Sequence, residues 1–320
     1  MRIVIMGTGG FAVPTFERLL NSPHDIVAVV TMPIRESRGS KTVTTPVRRI
    51  AEAAGLEIFD PGDVNDPSLL PTLHGWKADL LFVCDYGKIL APHVLAVTKF
   101  GGINLHGSLL PKYRGAAPIN HALLRGEPTV GVSVIHITPQ LDAGPVVAMS
   151  GPMPVLPDDT AVEIETRLAL IGTDLVMSVL PQFENGSLTP VPQRNELASK
   201  APKLKKQDGE IRWQRSAQEI VWQYQALQPW PKIFTNWHRM NPPENDSEPL
   251  RLILGPVRQI DAATADIAPG TVREASGNRI TVATGSGILQ VLEIQPAGRN
   301  MMPADAFLRG YLLQPGDRFG

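Results

Sequence analysis

The first half of the chain alternates between short apolar runs and amphipathic segments. Apolar runs cover residues 3–6, 26–30 and 80–84, while residues 16–20 and 46–54 have helical spacing. Two further runs follow at residues 103–105 and 130–137, and a longer helical pattern covers residues 159–180. Because parallel strands need long, usually helical, crossovers, this alternation predicts βαβ units around a parallel sheet.

The pattern changes after residue 186. Several prolines interrupt a polar segment that ends in lysines at 203, 205 and 206. Beyond it, one helical segment precedes short apolar runs separated by Gly, Pro and Asp, a pattern typical of a small β-barrel. We therefore predict an α/β protein with a Rossmann-like parallel-sheet domain at residues 1–189, a linker at 190–206 and a smaller OB-like β-barrel domain at 207–320.

Composition narrows the class of protein. The chain has 320 residues, 43% of them hydrophobic, and its 30 basic and 31 acidic side chains leave a net charge of −1. A polyanionic partner must therefore bind local basic patches. Cys84 is the only cysteine, which excludes an internal disulfide and favours a reducing compartment. No run is apolar enough for a signal peptide or membrane span, so we expect a cytoplasmic protein.

A glycine-rich turn follows the first predicted strand. Gly7-Thr8-Gly9-Gly10-Phe11-Ala12 matches the G-x-G-x-x-A dinucleotide fingerprint in the correct place between a strand and a helix. A dinucleotide site also needs an acid after the second strand, where this chain has Thr31-Met32-Pro33. We therefore favour a plain tight turn. An NADP-linked oxidoreductase that uses Arg35 near a 2′-phosphate stays open as an alternative.

Polar residues suited to acyl transfer follow two later runs. Asn104 and His106 come at the end of a predicted strand, where open α/β sheets bind ligands, and Asp142 follows the next run. Moving an acyl group to an amine creates an oxyanion and requires proton transfers. His106 can protonate the oxyanion or leaving group, Asn104 can donate to the same oxygen, and Asp142 can hold His106 protonated or accept the amine's proton, directly or through water. The structural alternative is a buried, hydrogen-bonded His and an Asp that caps a turn before Gly144.

With these residues the chain resembles the folate-dependent formyltransferases nearly end to end. The most specific part is the segment 104–119 together with Leu141-Asp142-Ala143-Gly144. Residues 86–90, Pro229-Trp230-Pro231 and 295–299 add support. The resemblance is to the branch of the family that formylates methionine on initiator methionyl-tRNA. Where that family commonly has Thr-Gly-Asp after the aspartate, this chain has Ala143-Gly144-Pro145, which leaves Asp142 in place.

The resemblance also implies a co-substrate and its binding residues. The formyl donor would be 10-formyltetrahydrofolate, with no metal; the scattered histidines agree with that expectation. The implied folate-binding residues are Ser108, Leu109, Leu110, Pro111, Tyr86, Gly87, Lys88, Ile89 and Leu90, with the loop 138–142. Without the family, residues 86–90 would be read as a strand that runs into a turn.

Two basic clusters fit a transfer-RNA partner. The loop 31–49 carries five basic residues and Glu36, so five minus one gives a local charge of +4. The family's matching loop contacts the acceptor end, which implies tRNA-binding roles for Arg35, Arg38 and Lys41. We expect Arg48 and Arg49 on the exposed face of the next helix. Lys203, Lys205 and Lys206 form a second cluster that can contact phosphates. The alternative for both clusters is a solvated loop or linker.

Related functions remain open at this point. A sugar-nucleotide or glycinamide ribonucleotide N-formyltransferase would share the Asn-His-Asp set, whereas the size of the C-terminal domain and the Arg38 loop favour the transfer-RNA substrate. A non-catalytic RNA-binding module would keep the basic loops and need no formyl donor. No stable protein partner is predicted.

Overall fold

The computed structural model describes residues 1–34, 44–240, 248–261 and 267–320. Arg35, Arg38 and Lys41 lie outside these described residues. Backbone contacts divide the chain into two compact units. Unit 1 contains Met1–Ile119, Thr129–Val155 and Glu163–Lys203, and unit 2 contains Asn120–Pro128, Leu156–Val162 and Leu204–Gly320.

The first strands belong to unit 1. They are β1 Arg2–Gly7, β2 Asp25–Val30, β3 Ile58–Phe59, β4 Leu80–Cys84, β5 Gly102–His106, β6 Thr129–Val130, β7 Ser133–His136, β8 Val146–Met149 and β9 Met153–Pro154. The strands of unit 2 are β10 Ile233–His238, β11 Leu250–Leu254, β12 Val257–Asp261, β13 Val272–Ser276, β14 Arg279–Ala283, β15 Ile288–Val291, β16 Glu293–Pro296, β17 Met302–Pro303 and β18 Arg318–Phe319.

The predicted helical segments all overlap helices of the structure, which also has helices that the sequence did not predict. The α-helices are α1 Val13–Leu20, α2 Pro46–Ala53, α3 Leu70–Gly75, α4 Pro92–Leu95, α5 Pro118–Leu124, α6 Ala161–Asn185, α7 Ala217–Ala226 and α8 Ala304–Gly310. Short 3₁₀ helices cover Gly10–Ala12, Pro67–Leu69, Asn195–Leu197 and Lys206–Gly209. Over the ranges that the structure describes, no helix combines the length and apolar character needed to cross a membrane.

A mixed sheet forms the centre of unit 1. Its strand order is β3-β2-β1-β4-β5-β7-β8, and the first five strands are parallel. β1 is central because its apolar residues, such as Ile3 and Ile5, are fully buried between neighbours on both sides. The register places Gly7 beside Cys84 and Val83 beside Asn104. The loops that leave β1, β4 and β5 therefore share one edge of the sheet.

The predicted long strand at residues 130–137 is two strands. β6 and β7 are separated by Gly131 and Val132, and β7 pairs antiparallel with both β5 and β8. A Cβ at Gly131 would lie 2.5 Å from the side chain of Leu109, so this backbone passes close to the loop after β5. The antiparallel edge makes the sheet mixed. The predicted α/β fold class, with a Rossmann-like arrangement of the parallel strands, is confirmed.

Unit 2 is a smaller β domain, as predicted, and its strand pairs are antiparallel. One sheet has the order β17-β16-β11-β10-β18 and a second has the order β12-β15-β14-β13. The buried carboxylate of Asp317 ties the end of the chain to this unit, because it accepts bonds from Trp237 Nε1 and from the backbone N–H groups of Met240 and Gln314. Ser216 begins α7 with a capping box that includes Glu219.

The segment predicted as the linker is folded against unit 1 up to Lys203. Val191 exchanges backbone hydrogen bonds with Val146, and Arg114 exchanges them with the segment around Lys200. Unit 2 begins at Leu204. Much of this segment therefore contributes to unit 1, while the domain boundaries at 189 and 207 stay predictions.

The expectation for Arg48 is wrong. Arg49 is exposed on α2, whereas Arg48 is 9% exposed and pairs with the carboxylate of Asp60, which follows β3. The pattern of α2 buries Val47, Arg48 and Ala51 together. Arg48 can be buried because a carboxylate from a neighbouring element compensates its charge.

Candidate active site

His106 is held at the end of β5 by the loop that follows it. The residue is 5% exposed, and its Nε2 lies 2.9 Å from the backbone oxygen of Tyr113. A carbonyl oxygen only accepts, so Nε2 carries a hydrogen. Tyr113 has φ +63° and is anchored by its N–H, which donates to Ser199 Oγ at 2.9 Å. Nδ1 is therefore the ring nitrogen left to face a substrate.

Asp142 approaches that free nitrogen from the loop after β7. Its Oδ2 lies 3.7 Å from His106 Nδ1 and accepts the N–H of Gly115 at 2.8 Å. The residue has φ +48°, in the left-handed region that few residues other than glycine adopt and that aspartate tolerates better than most. The distance to Nδ1 exceeds a hydrogen bond, so a substrate atom can share His106 with the carboxylate.

Asn104 completes the predicted set on the same strand. Residues two apart on a strand point to the same face, so Asn104 and His106 project together. The Asn104 side chain is half-buried and has no hydrogen bond to any other described residue. Its amide is therefore available to a ligand. The structure brings His106 and Asp142 together and places Asn104 on the same side of β5.

Gln193 is a supporting residue that the sequence did not reveal. Its Nε2 donates to the backbone oxygens of Asp142 and Gly144, both at 2.8 Å. Its Oε1 accepts from Arg114 Nε at 3.1 Å and Nη2 at 2.8 Å. One side chain thus connects the Asp142 loop to the loop after β5. No local motif marks this glutamine, because its partners are about 50 and 80 residues away in the sequence.

Position 144 requires glycine because the backbone of His136 passes very close to it. A Cβ at this position would lie 1.8 Å from the backbone oxygen of His136. The neighbouring Pro145 contributes its carbonyl, which accepts the His136 N–H at 3.0 Å. Proline retains that carbonyl, so the Ala143-Gly144-Pro145 sequence is compatible with this loop pairing.

The expected folate segment after His106 is fixed by buried hydroxyls. Ser133 Oγ donates to the backbone oxygen of Ser108 at 2.7 Å and accepts the N–H of Leu110 at 3.1 Å. Ser108 Oγ donates to the backbone oxygen of Lys112 at 2.6 Å. Ser108 and Leu110 are buried, while Leu109 and Pro111 are half-buried. These bonds give the segment one defined path.

The second segment expected to bind folate, residues 86–90, has buried residues at both ends and exposed residues in the middle. Tyr86 and Leu90 are buried in the apolar core beneath the sheet, and burial raises the pKa of Tyr86 to about 12. Gly87 has φ +78°, and Gly87, Lys88 and Ile89 are exposed. The buried pair holds the segment, so only its central residues and backbone are available to a flat ring.

Asn65 supports the same segment through hydrogen bonds, and the sequence did not predict this role either. Its Nδ2 donates to the Ile89 oxygen at 2.9 Å, and its Oδ1 accepts the Ala91 N–H at 2.7 Å. The apolar side chains of Ile89 and Leu141 are 54% and 55% exposed, one in each of two loops expected to bind folate. Exposed apolar side chains on fixed loops suit an apolar ring face.

The glycine-rich turn already contains an anion. A Cβ at Gly9 would lie 2.4 Å from Asp85 Oδ2, so the Asp85 carboxylate lies directly against the turn. In dinucleotide-binding proteins a phosphate takes this position at the helix N-terminus. A phosphate would be repelled by Asp85, so the structure supports the interpretation of a plain turn.

Three titratable groups cluster beside this turn. Burial raises the pKa of Asp85, while the Phe11 N–H and the positive charge of His106 oppose the shift. Burial and then the charge of Asp85 raise the pKa of Glu165 on α6. Burial raises the pKa of the Cys84 thiol well above its usual range, so that this thiol stays protonated.

The expected tRNA-binding lysines lie in different units. Lys203 ends unit 1, whereas Lys205 and Lys206 belong to unit 2 near the 3₁₀ helix Lys206–Gly209; all three are exposed. Within the described ranges, no group of three or more His, Cys, Asp or Glu is arranged to hold a metal ion.

The chain matches known proteins over nearly its whole length. Residues 1–180 match the family model described as formyl transferase, and residues 203–312 match the formyl transferase C-terminal domain. A methionyl-tRNA formyltransferase of Rhodopirellula baltica is 40% identical over 330 residues, covering 99% of this chain and 96% of that protein. The enzyme of the same name from Moorella thermoacetica is 38% identical over 321 residues, covering 100% and 99%.

A solved structure shares the fold. It is the N-formyltransferase of Helicobacter canadensis in complex with folinic acid and dTDP-3-aminofucose, which has a TM-score of 0.66 at 17% identity and covers 92% of this chain and 98% of that chain. The fold, the family models and the full-length relatives agree with one another and with the sequence motifs. This chain belongs to the formyl transferase family.

Proposed function

We propose that this enzyme transfers the formyl group of 10-formyltetrahydrofolate to the amino group of methionine on initiator methionyl-tRNA. The observation that carries the chemistry is the free Nδ1 of His106, 3.7 Å from the Asp142 carboxylate and on the same side of β5 as Asn104. The acceptor is inferred from relatives that bear this name and are similar over the full chain length.

Each of the three side chains has its own role in the transfer. The acceptor nitrogen bonds to the formyl carbon, and the bond from that carbon to the donor nitrogen then breaks. Asn104 donates its amide N–H to the formyl oxygen as negative charge develops there. When both ring nitrogens carry a proton, His106 donates from Nδ1 to the same oxygen or to the leaving nitrogen, while Nε2 stays bonded to the Tyr113 carbonyl. Asp142 accepts the proton that the attacking amine loses, directly or through water.

The donor would lie against the segments that the fold holds in place. Ser108, Leu109, Leu110 and Pro111 would line one side, fixed by Ser133. Tyr86, Gly87, Lys88, Ile89 and Leu90 would provide backbone and apolar contacts, with Leu141 on the Asp142 loop. A folate-derived donor fits this combination because its flat ring needs apolar faces and a few backbone bonds at its edge.

The acceptor would be held mainly through phosphates. Arg35, Arg38 and Lys41 would contact the acceptor end, and Lys203, Lys205 and Lys206 would add salt-dependent affinity. The net charge of −1 makes such local patches necessary. An aminoacylated transfer RNA as substrate also agrees with the cytoplasmic location expected from the single cysteine.

One assay tests the proposal directly. The purified protein is incubated with 10-formyltetrahydrofolate and methionine-charged initiator tRNA, and formyl-methionine is detected after the ester is hydrolysed. Parallel reactions contain an amino-sugar nucleotide, glycinamide ribonucleotide or methionine-charged elongator tRNA. Formation of the formylated product only with methionine-charged initiator tRNA supports the proposal. Turnover only with a small amine contradicts it, as does tight binding of a nicotinamide dinucleotide without any formyl transfer.

A further inference from the structure

Arg114 lies in the loop after β5, and no step of the reaction proposed above uses its side chain. Its guanidinium donates from Nε and Nη2 to Gln193 Oε1, at 3.1 and 2.8 Å, and from Nη2 to Asn195 Oδ1 at 2.9 Å. The side chain is half-buried. Because a guanidinium is planar and presents its donors as a rigid fork, these bonds orient the two amide side chains that they reach.

The Gln193 side chain can bind its partners in only one orientation. A guanidinium has hydrogen-bond donors only, so the amide oxygen must face Arg114. The carbonyls of Asp142 and Gly144 only accept, so the amide nitrogen must face them, and its two hydrogens match the two bonds of 2.8 Å. Removal of the guanidinium removes the group that selects this orientation. Arg114 therefore determines the direction of the amide that supports the Asp142 loop.

The backbone next to Arg114 holds the Asp142 carboxylate directly. The Arg114 N–H donates to the Ser199 oxygen at 2.8 Å, and the Arg114 oxygen accepts the Ala201 N–H at 2.7 Å. The next residue, Gly115, has φ +128°, and a Cβ there would lie 2.4 Å from the Ala201 oxygen. Only glycine fits this position, from which the N–H reaches Asp142 Oδ2 at 2.8 Å. Residue 115 thus holds the carboxylate, while residue 114 acts on the backbone of the same aspartate through Gln193.

We propose that Arg114 is a positioning residue for the proton acceptor: through the Gln193 amide it keeps the Asp142 carboxylate 3.7 Å from His106. The proposal rests on the proposed function, in which Asp142 accepts the proton that the attacking amine loses. Arg114 does not contact either substrate in this role. Small displacements of a reacting group slow catalysis strongly, so loss of Arg114 should lower kcat and leave substrate affinity nearly unchanged.

Direct contact between Arg114 and a substrate makes a different prediction. If the guanidinium bound a phosphate of the acceptor RNA, Arg114→Ala would raise KM for methionyl-tRNA, and its effect would add to that of Gln193→Ala. If Arg114 acts through Gln193, the second substitution has little left to remove, so the two effects should not add. Arg114→Lys keeps the positive charge and loses the fork, so this variant separates the charge from the geometry.

The test is a double-mutant cycle in kcat, measured with saturating formyl donor and methionyl-tRNA. Arg114→Ala and Gln193→Ala should each lower kcat by about tenfold, and the double variant should also lose about tenfold, whereas independent roles would give about a hundredfold loss. Arg114→Lys should lose most of the same activity. KM for both substrates should stay near the wild-type value. Arg194→Ala removes an exposed arginine from the same segment as Gln193, and this matched control should keep the wild-type kcat.

Chemical rescue distinguishes a missing guanidinium from misfolding. Millimolar guanidinium chloride should restore part of the kcat of Arg114→Ala and leave the double variant unchanged, because the double variant lacks the amide that the ion would orient. Thermal unfolding verifies that each variant is folded. If Arg114→Ala does not fold, Arg114→Lys takes its place in the cycle.

Three results would overturn the proposal. They are additive losses in the cycle, wild-type kcat in folded Arg114→Ala or Arg114→Lys, and a loss in Arg114→Ala that guanidinium does not restore at all. Failure of wild type to formylate methionyl-tRNA would instead contradict the proposed function, so the two failures can be told apart.

Discussion

The Oδ2 atom of Asp142 lies 3.7 Å from Nδ1 of His106 while it accepts the N–H of Gly115 at 2.8 Å. The backbone bond fixes the carboxylate without consuming His106, whose other nitrogen is bound to the Tyr113 carbonyl. One imidazole nitrogen is thus bonded to the backbone, and the other faces the Asp142 carboxylate at a distance longer than a hydrogen bond.

His106→Ala should abolish most turnover and leave folate affinity nearly intact. A group that acts on the developing oxyanion stabilises the transition state far more than the ground state, so we expect kcat to decrease by about 10²-fold or more. Single-turnover rates and donor binding, measured on the same folded preparation, check this. Near-normal turnover would remove His106 from the proposed mechanism.

Asp142→Asn tests whether catalysis needs the negative charge of Asp142. The amide oxygen can still accept the Gly115 N–H, so the loop should keep its shape while the proton acceptor is lost. We expect lower kcat and a changed pH profile, because the ionisation of Asp142 no longer contributes. The measurement is kcat/KM between pH 5 and pH 9. Full activity with an unaltered profile would reduce Asp142 to a turn residue.

Gln193→Ala should lower kcat by about tenfold or more with little change in KM for either substrate. Alanine removes the two bonds to the Asp142 and Gly144 carbonyls and the two from Arg114, so the Asp142 loop loses its support, and small displacements of reacting groups slow catalysis strongly. Gln193→Glu is the informative companion, since it can still accept from Arg114 but cannot donate to the Asp142 and Gly144 carbonyls. If both variants have wild-type kcat, the loop is positioned by other contacts.

Replacement of Arg38 and Lys41 together by Ala should raise KM for methionyl-tRNA and flatten its salt dependence. Fewer phosphate contacts release fewer counterions, so the slope of log KM against log salt should change by about one to two. KM for the formyl donor should stay constant. A double variant that matches wild type in both KM and slope would assign RNA recognition to the other lysines and unit 2.

Ser216→Ala should lower the free energy of unfolding by about 1 kcal/mol through loss of the α7 cap. The backbone N–H and hydroxyl of Ser216 lower the pKa of Glu219. The ionised Glu219 therefore stabilises the fold above its unfolded pKa of about 4.3, and this contribution is lost as pH decreases through the folded value. Urea unfolding at pH 7 and below pH 3 should show Glu219→Gln less stable than wild type only at the higher pH. Gln218→Ala, an exposed change in the same turn, should have little effect.

The sequence by itself predicted the alternation of strands and helices around a parallel sheet in unit 1 and a small β domain in unit 2. Local signals sufficed there, because apolar periodicity and turn residues act over a few neighbours. Asn104, His106 and Asp142 were predicted in the same way, since each follows an apolar run, and the family resemblance implied their chemistry. The burial of Arg48 was not visible, because Asp60 compensates it from another element.

Only the tertiary structure decided how these residues are oriented and what supports them. Gln193 and Asn65 support loops that are distant in sequence, and Asp85 reaches the glycine-rich turn only because β1 and β4 are adjacent. The match of the glycine-rich turn to a dinucleotide motif was likewise resolved by a carboxylate about 75 residues away, placed over Gly9 by strand pairing. Local sequence encodes periodicity and turn chemistry, whereas contacts between distant segments depend on how the whole chain packs.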